Sequence, residues 1–288
     1  GPFTLTVGNR TGHTEYFGGE IDELRVYSRM LSEDEVLQLY HLGSAAGARG
    51  SATLTFSHDT VLTDGCILMQ TFDGPYMDWA NTSAEARDAS GQQHHGDITG
   101  TQTLRGRVGQ ALEFDGDDDI VDLSSPAALD NLSAMTLCAW VYPHSEGEGG
   151  VGMVFNKFSW GLIMSDAGVT NALTYFFHSA GGTELKVRSV ENAWNIREWQ
   201  HVAVTWNGGA DASDDVRMYI NGAEVSYDLQ QDNTGGFEDD SGYNLYIGGY
   251  GGSANYEFDG VIDEARIYNR ALSRKEVEQL YTIGRGNS

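Results

Sequence analysis

The feature that most constrains this chain is a long internal repeat. Residues 5–43 and 245–284 share an aromatic–glycine lead, the triplet Ile-Asp-Glu, a following Arg and Tyr, and a Leu-Ser pair at matching positions. Similarity over such a length marks a duplicated structural unit. We therefore expect the second copy to close a complete domain, and the first copy to be the C-terminal strand–helix segment of a preceding one.

The second copy shows the local pattern of a strand followed by a short helix. Residues 261–268 alternate apolar and polar side chains, as strands do. Ser273 with Glu276 three positions later forms a capping box, which predicts a helix start. The apolar residues that follow share one helical face: Val277, Leu280 and Tyr281. Gly284 is predicted to stop this helix.

The rest of the chain reads as a linker and an all-β domain. Residues 44–65 are small and polar, so we interpret them as a linker, and we place the complete domain at residues 66–285. The predicted strands are 66–72, 111–115, 135–143, 172–178, 199–206 and 215–221. Asn221-Gly222 predicts a two-residue hairpin turn. Long alternating strands with polar loops favour two packed antiparallel sheets.

The charge balance limits the partners of the chain. Asp and Glu total 42 and Lys and Arg total 17, which gives a formal net charge of −25. This charge argues against nucleic acid, whose phosphates need a basic surface. A surface rich in acids and poor in Lys suits a salt-loving organism, since salt screens self-repulsion; a moderately acidic marine or bacterial surface protein is the alternative. No apolar run approaches the roughly 18 residues of a membrane span.

Cysteines and sequons give weaker indications. Cys66 and Cys138 lie in apolar, strand-like runs, which favours two free buried thiols, although a single bridge between them stays open. Asn-x-Ser/Thr sequons at Asn9, Asn81 and Asn131 are consistent with an exported protein.

Five segments follow one another in an order that carries a family likeness. They are ALEFDGDDDIVDL (111–123), MTLCAWVYP (135–143), REWQHVAVTWNG (197–208), RMYINGAEV (217–225) and FDGVIDEARIYNRALS (258–273). The chain resembles the LamG-like, concanavalin A-like jelly-roll superfamily over residues 66–284, with residues 5–43 as the family's C-terminal signature. The resemblance implies an all-β, two-sheet antiparallel jelly-roll sandwich with a short C-terminal helix. It leaves the function open, because this fold hosts lectins, adhesins, accessory domains and some glycosidases.

The resemblance also implies a structural Ca²⁺ where the first and last strands meet. By resemblance we assign Asp73 and Asp263 as ligands, with a carbonyl from Gly96 and a contribution from Asp88. Ca²⁺ prefers six to eight hard oxygens, which two strands and a glycine-rich loop are able to supply. The alternative is that Asp263 caps a strand end and Asp88 starts a turn. The acidic run 115–119 is expected to be a solvated hairpin.

The sequence argues against catalysis. Retaining glycosidases of this fold display two carboxylates about 5 Å apart from a single strand, and the nearest motif here, which starts at Glu20, lacks its last acid. No nucleophile elbow or phosphate loop is present either. We expect no enzymatic activity.

Recognition is therefore the leading hypothesis. We expect an extracellular or cell-surface module that binds a glycan or a glycosylated surface protein. The aromatic and histidine candidates for sugar contact are Trp160, Tyr175, Phe177, His178 and Trp194. The alternative is an assembly role in a surface filament or layer, in which residues 1–43 complete or dock on a neighbouring chain.

Overall fold

A computed structural model describes residues 60–166, 168–251 and 256–285, all within the unit Ser57–Ser288. These residues form the predicted two-sheet antiparallel sandwich with a short C-terminal helix. The predicted segment 1–43 and almost all of the linker 44–65 lie outside the described residues. The proposed domain boundaries therefore stay predictions.

The described residues form sixteen strands and three α-helices. The strands are β1 Cys66–Gln70, β2 Asp97–Thr99, β3 Gln102–Arg105, β4 Gln110–Asp115, β5 Ile120–Asp122, β6 Met135–Pro143, β7 Gly152–Lys157, β8 Trp160–Asp166, β9 Val169–Phe177, β10 Leu185–Ser189, β11 Gln200–Trp206, β12 Val216–Ile220, β13 Ala223–Glu224, β14 Tyr227–Gln231, β15 Tyr246–Ile247 and β16 Asp259–Tyr268. The helices are α1 Thr60–Thr63, α2 Ala212–Asp215 and α3 Arg274–Arg285. Short 3₁₀ turns occupy Gly74–Tyr76, Ala127–Leu129 and Glu148–Gly150.

The strands divide into two sheets. The first has the order β13-β12-β11-β6-β16-β4-β3, with β1 also paired to β16. The second has the order β14-β10-β9-β8-β7-β15-β5-β2. The main core lies between the sheets, because alternate side chains of each strand point inward. Its aromatic residues include Phe72, Phe114, Phe155, Trp160, Tyr175, Phe177, Trp194, Trp206 and Phe258.

Strand β16 organises the first sheet. One edge pairs with β6 throughout, and the other pairs first with β4 and then with β1. The pairing with β6 shifts between Asp263 and Arg266, where Glu264 adopts a φ of 51°. Such a bulge bends the strand and re-aims its side chains. Asp263 therefore lies where the pairing of β16 passes from β4 to β1.

The C-terminal helix begins as the sequence predicted. The backbone NH of Ser273 donates to Glu276 Oε2 at 2.7 Å, and the NH of Glu276 lies 3.4 Å from Ser273 Oγ, which confirms the capping box. Gly284 lies inside the last turn instead of terminating it, because a Cβ there would meet Trp140 Nε1 at 2.0 Å. The glycine thus allows a close approach to the sheet. None of the described helices is long and apolar enough to cross a membrane.

Two turn predictions had different outcomes. Asn221 and Gly222 have φ values of 53° and 76° and connect the paired strands β12 and β13, which confirms the hairpin. The expected hairpin at 115–119 is wrong, because β4 and β5 belong to different sheets. This acidic run crosses from one layer to the other. Cys66 and Cys138 are both free thiols.

Candidate functional site

Two of the four predicted calcium ligands meet at one loop. The turn 106–110 joins β3 to β4, and its backbone binds both carboxylates. The NH of Val108 donates to Asp263 Oδ2 at 2.8 Å, and the NH of Gln110 donates to Asp73 Oδ1 at 2.8 Å. The loop therefore connects the end of the first strand with the middle of the last one.

Glycines allow this close approach. Gly109 has a φ of +59°, and a Cβ there would lie 1.9 Å from Asp73 Oδ1. A Cβ on Gly106 would lie 2.5 Å from Asp263 Oδ2. Both distances are shorter than any real contact, so side chains at these positions would push the carboxylates away.

Asp263 is an uncompensated buried acid. It is 0% exposed, and its Oδ1 has no hydrogen-bond partner among the described residues. Burial, with smaller contributions from the charges of Glu264 and Asp73, raises the pKa of Asp263 to about 8, although the Val108 NH opposes the shift. No described Lys, Arg or His forms an ion pair with it. The cation on the loop, Arg107, instead lies 4.8 Å over the ring of Trp140.

These features fit a hard cation. A buried carboxylate oxygen without a partner costs free energy unless a proton or a cation compensates it. Asp73 and Asp263 would hold Ca²⁺ through carboxylate oxygens, which are its preferred ligands. An ion here would supply no reaction chemistry; it would join the opening and closing strands.

The other two predicted ligands have different partners. Asp88 accepts hydrogen bonds from the backbone NH groups of Met69, Ser90 and His94 at 3.0, 2.9 and 3.1 Å. The carbonyl of Gly96 accepts from the NH of Ala86 at 3.0 Å. None of the hydrogen bonds given for Asp88 or Gly96 reaches loop 106–110. The structure thus brings together Asp73 and Asp263, while the bonds of Asp88 fasten its loop to β1.

Four of the five predicted sugar-contact residues are core residues. Trp160, Tyr175, Phe177 and Trp194 are at most 2% exposed. The indole NH of Trp160 donates to Asp240 Oδ2 at 2.7 Å, which fixes the ring between the sheets. A ring without exposed surface has no face for a sugar. We therefore correct the prediction for these four residues.

The fifth residue, His178, belongs to a charged row on the outer face of the second sheet. Since Tyr175 and Phe177 point into the core, the alternation of the chain directs Phe176 and His178 outward. His178 Nδ1 lies 3.0 Å from Glu184 Oε2, and their side chains are 42% and 31% exposed. We call the outer-face row the six residues His178, Glu184, Lys186, Asp166, Arg188 and Asp228.

Ion pairs fix the geometry of the outer-face row. Asp166 Oδ2 lies 3.0 Å from both Lys186 Nζ and Arg188 Nη1. Arg188 also donates to both oxygens of Asp228, at 3.0 and 3.2 Å. Planar, bidentate pairs of this kind hold their donors and acceptors in fixed directions. Sequence reasoning missed five of the six residues, because their proximity depends on strand register.

An apolar patch adjoins the outer-face row. Val151, Met153, Ile163 and Phe176 pack together with Tyr250, separately from the main core. Gly161 lies directly opposite Phe176 on β8, and a Cβ there would meet the ring at 2.8 Å. The missing side chain leaves room for the Phe176 ring on the sheet.

The acidic run forms a second cluster of a different kind. Carboxylate oxygens of Asp115, Asp118 and Asp119 lie within 4.8 Å of one another, beside a cleft of about 410 Å³ that His144 and Asp259 also line. Asp119 Oδ2 accepts from the NH of Asp115 at 2.9 Å, and Asp115 Oδ1 accepts from the NH of Asp117 at 2.9 Å. The backbone of the turn thus satisfies two of these carboxylates.

Solved structures share this architecture. The binding domain of Paraclostridial Mosquitocidal Protein 1 aligns with a TM-score of 0.58 at 16% identity, over 76% of this chain and 52% of that one. Domain 4 of AbnA, a GH43 extracellular arabinanase from Geobacillus stearothermophilus solved with arabinotriose, aligns with a TM-score of 0.54 at 21% identity, over 75% and 98%. The binding domain of Botulinum Neurotoxin DC in complex with SialylT aligns with a TM-score of 0.51 at 15% identity, over 77% and 52%. This chain spans about half the length of the two toxin domains.

At these identities the structural likeness establishes a common fold. No curated protein matches the chain by sequence. A family model does match: residues 115–278 fit that of the concanavalin A-like lectin/glucanases superfamily, in its Laminin_G_3 form. The matched region runs from the end of β4 into α3 and covers more than half of the chain. Together with the two-sheet sandwich, this match assigns the chain to the concanavalin A-like lectin/glucanases superfamily.

Proposed function

We propose that this domain is an extracellular, non-catalytic recognition module that binds a glycan through the outer-face row and is stabilised by Ca²⁺ at Asp73 and Asp263. The observation that carries the proposal is the row of ion-paired side chains beside the apolar patch. Two structural neighbours, solved with arabinotriose and with SialylT, support glycans as the ligand class.

The chemistry of the row suits sugars. Sugar hydroxyl groups donate and accept hydrogen bonds at once, so a surface that alternates carboxylates with cationic donors is complementary to them. Arg188 and Lys186 supply donors, and Asp228 and Glu184 supply acceptors, on neighbouring strands. Apolar and aromatic side chains nearby offer area for the CH faces of a sugar ring.

Isothermal titration calorimetry tests the proposal with arabinotriose and a sialylated oligosaccharide, after a glycan array has ranked related ligands. We expect His178→Ala and Arg188→Ala each to weaken binding at least about tenfold, since each removes a charged hydrogen-bonding group. The matched control is Arg87→Ala, which removes an ion-paired arginine from the loop before β2. Equal affinities for all four proteins would remove the outer-face row as the site.

The non-catalytic part of the proposal has its own measurement. Incubation of the domain with the best array ligand is expected to return the oligosaccharide intact, as followed by chromatography. Sustained release of shorter sugars would overturn the assignment as a binding module. The assembly role of residues 1–43 stays a prediction; light scattering with and without that segment tests it.

A further inference from the structure

A second pair of carboxylates lies where the loop after β6 meets the segment that leads into β16. The NH of Glu148 donates to the carbonyl of Glu257 at 3.0 Å, and the NH of Met153 donates to the carbonyl of Tyr256 at 3.0 Å. These bonds place the two acidic residues side by side, although they are distant in the sequence.

Both side chains contain an enclosed, unpartnered oxygen. Glu257 is 3% exposed. Its Oε2 and the Oε2 of Glu148 have no hydrogen-bond partner among the described residues. Neither residue takes part in the ion pairs of the part of the chain that the structure describes.

The surroundings of the pair are acidic. Burial, with smaller contributions from the charges of Glu148 and Asp117, raises the pKa of Glu257 to about 7, although the backbone of Tyr250 and Tyr256 opposes the shift. Gly249 leaves space beside the carboxyl group, since a Cβ there would lie 3.2 Å from Glu257 Oε2. Two neighbouring buried carboxylates with no internal countercharge need an external one.

We propose that Glu148 and Glu257 bind a divalent cation, Ca²⁺, at a site separate from that of Asp73 and Asp263. Ca²⁺ accepts irregular sets of carboxylate, carbonyl and water oxygens, which suits a site built from two loops. The ion ties the β6–β7 loop to the approach of β16. Val151, Met153 and Tyr250, which belong to the apolar patch, lie on the same two segments, so the site orders one border of that patch.

Metal content of the whole chain tests this inference. Equilibrium dialysis against Ca²⁺ followed by elemental analysis is done on wild type, Asp263→Asn, Glu257→Gln and the double variant. We expect Asp263→Asn to retain one bound Ca²⁺ per chain, and Glu257→Gln to remove it in that background. Glu148→Gln has the same expected effect, and Glu146→Gln on the same loop is the matched control that leaves it bound.

A second readout follows the loop itself. In the Asp263→Asn background, Ca²⁺ is expected to slow amide hydrogen exchange at residues 147–153, and Glu257→Gln is expected to abolish that protection. Circular dichroism shows that each variant is folded. An Asp263→Asn protein without bound Ca²⁺, or an amount of bound ion unchanged by Glu257→Gln, would overturn the proposal and show that the pair is held by protons. Glycan affinity is measured separately, so failure here is distinguishable from failure of the recognition site.

Discussion

Buried charge is handled in opposite ways around Lys157 and around Asp263. Both side chains are fully buried. Lys157 Nζ donates to the carbonyl of Leu129 at 2.9 Å and contacts the carboxylates of Asp130 and Asp240. Asp263 has a backbone NH at one oxygen and no described partner at the other.

The Lys157 network is complete within the chain. Asp240 is itself fully buried, and it accepts from the indole NH of Trp160 at 2.7 Å and from the NH of Asn131 at 2.6 Å. Opposite charges and hydrogen bonds compensate one another there. The comparison teaches that carboxylates require an external cation where the fold supplies no countercharge, and that the number of acids in a segment is a poor guide.

The largest effect is expected from Lys157→Met. Removal of the cation leaves Asp240 buried without its countercharge, which costs roughly 3–5 kcal/mol of unfolding free energy. Urea denaturation measures the loss, which Ca²⁺ should not reverse. The control is Lys186→Met, which breaks a partly exposed pair and should cost less than about 1 kcal/mol. Similar losses in both variants would contradict the distinction.

The next effect is the loss of one part of the Ca²⁺ response in Asp263→Asn. An ion bound to the folded state at 100 times its Kd stabilises by about 2.7 kcal/mol. We expect the variant to lose the contribution of this site, and without Ca²⁺ to be at least as stable as wild type, because a buried charge has gone. Thermal melts with and without Ca²⁺ measure both. A variant with the full wild-type response would show that Asp263 binds no ion.

A third buried group, His201, sharpens the comparison because it is kept neutral. Burial, together with the charge of Arg266, lowers the pKa of His201 to about 3, against about 6.5 in the unfolded chain. The unfolded state therefore binds a proton first, so this contribution is complete above pH 6.5 and falls by about 1.4 kcal/mol per pH unit as the pH drops towards 3.

Denaturation at pH 6.5 and pH 5 measures this linkage. Between these values wild type should lose about 2 kcal/mol more than His201→Phe, which preserves a ring against Trp140 without a titrating nitrogen. The comparison with the variant cancels the titration of the carboxylates. Identical losses in the two proteins would mean that His201 is protonated in the folded state.

The smallest effect is expected from Asp118→Asn. This exposed residue belongs to the acidic cluster, two of whose carboxylates are satisfied by their own turn. Its replacement should change the unfolding free energy by less than about 0.5 kcal/mol and leave the bound Ca²⁺ unchanged. A loss of one ion in elemental analysis would return this cluster to the metal sites and weaken the contrast with Asp263.

Local patterns predicted the elements well. The capping box at Ser273, the hairpin turn at Asn221-Gly222 and the strand over residues 135–143 were all confirmed. Each depends on interactions within a few residues, so the sequence contains the information directly. The ordered motifs also identified the superfamily. The paired Asp73 and Asp263 were found through that resemblance, because spacing along the chain does not show where two distant strands meet.

The sequence by itself thus determined the strands, the turns, the acidic surface and the sandwich class, since periodicity and turn chemistry are local. Only the tertiary structure decided which parity of each strand faces the core, and so buried Trp160 and Tyr175 while it left His178 outside. It alone brought Glu148 beside Glu257 and left their oxygens without partners. The physical reason is that register and burial are set by contacts between residues far apart in the chain, and these contacts exist only after both sheets have packed.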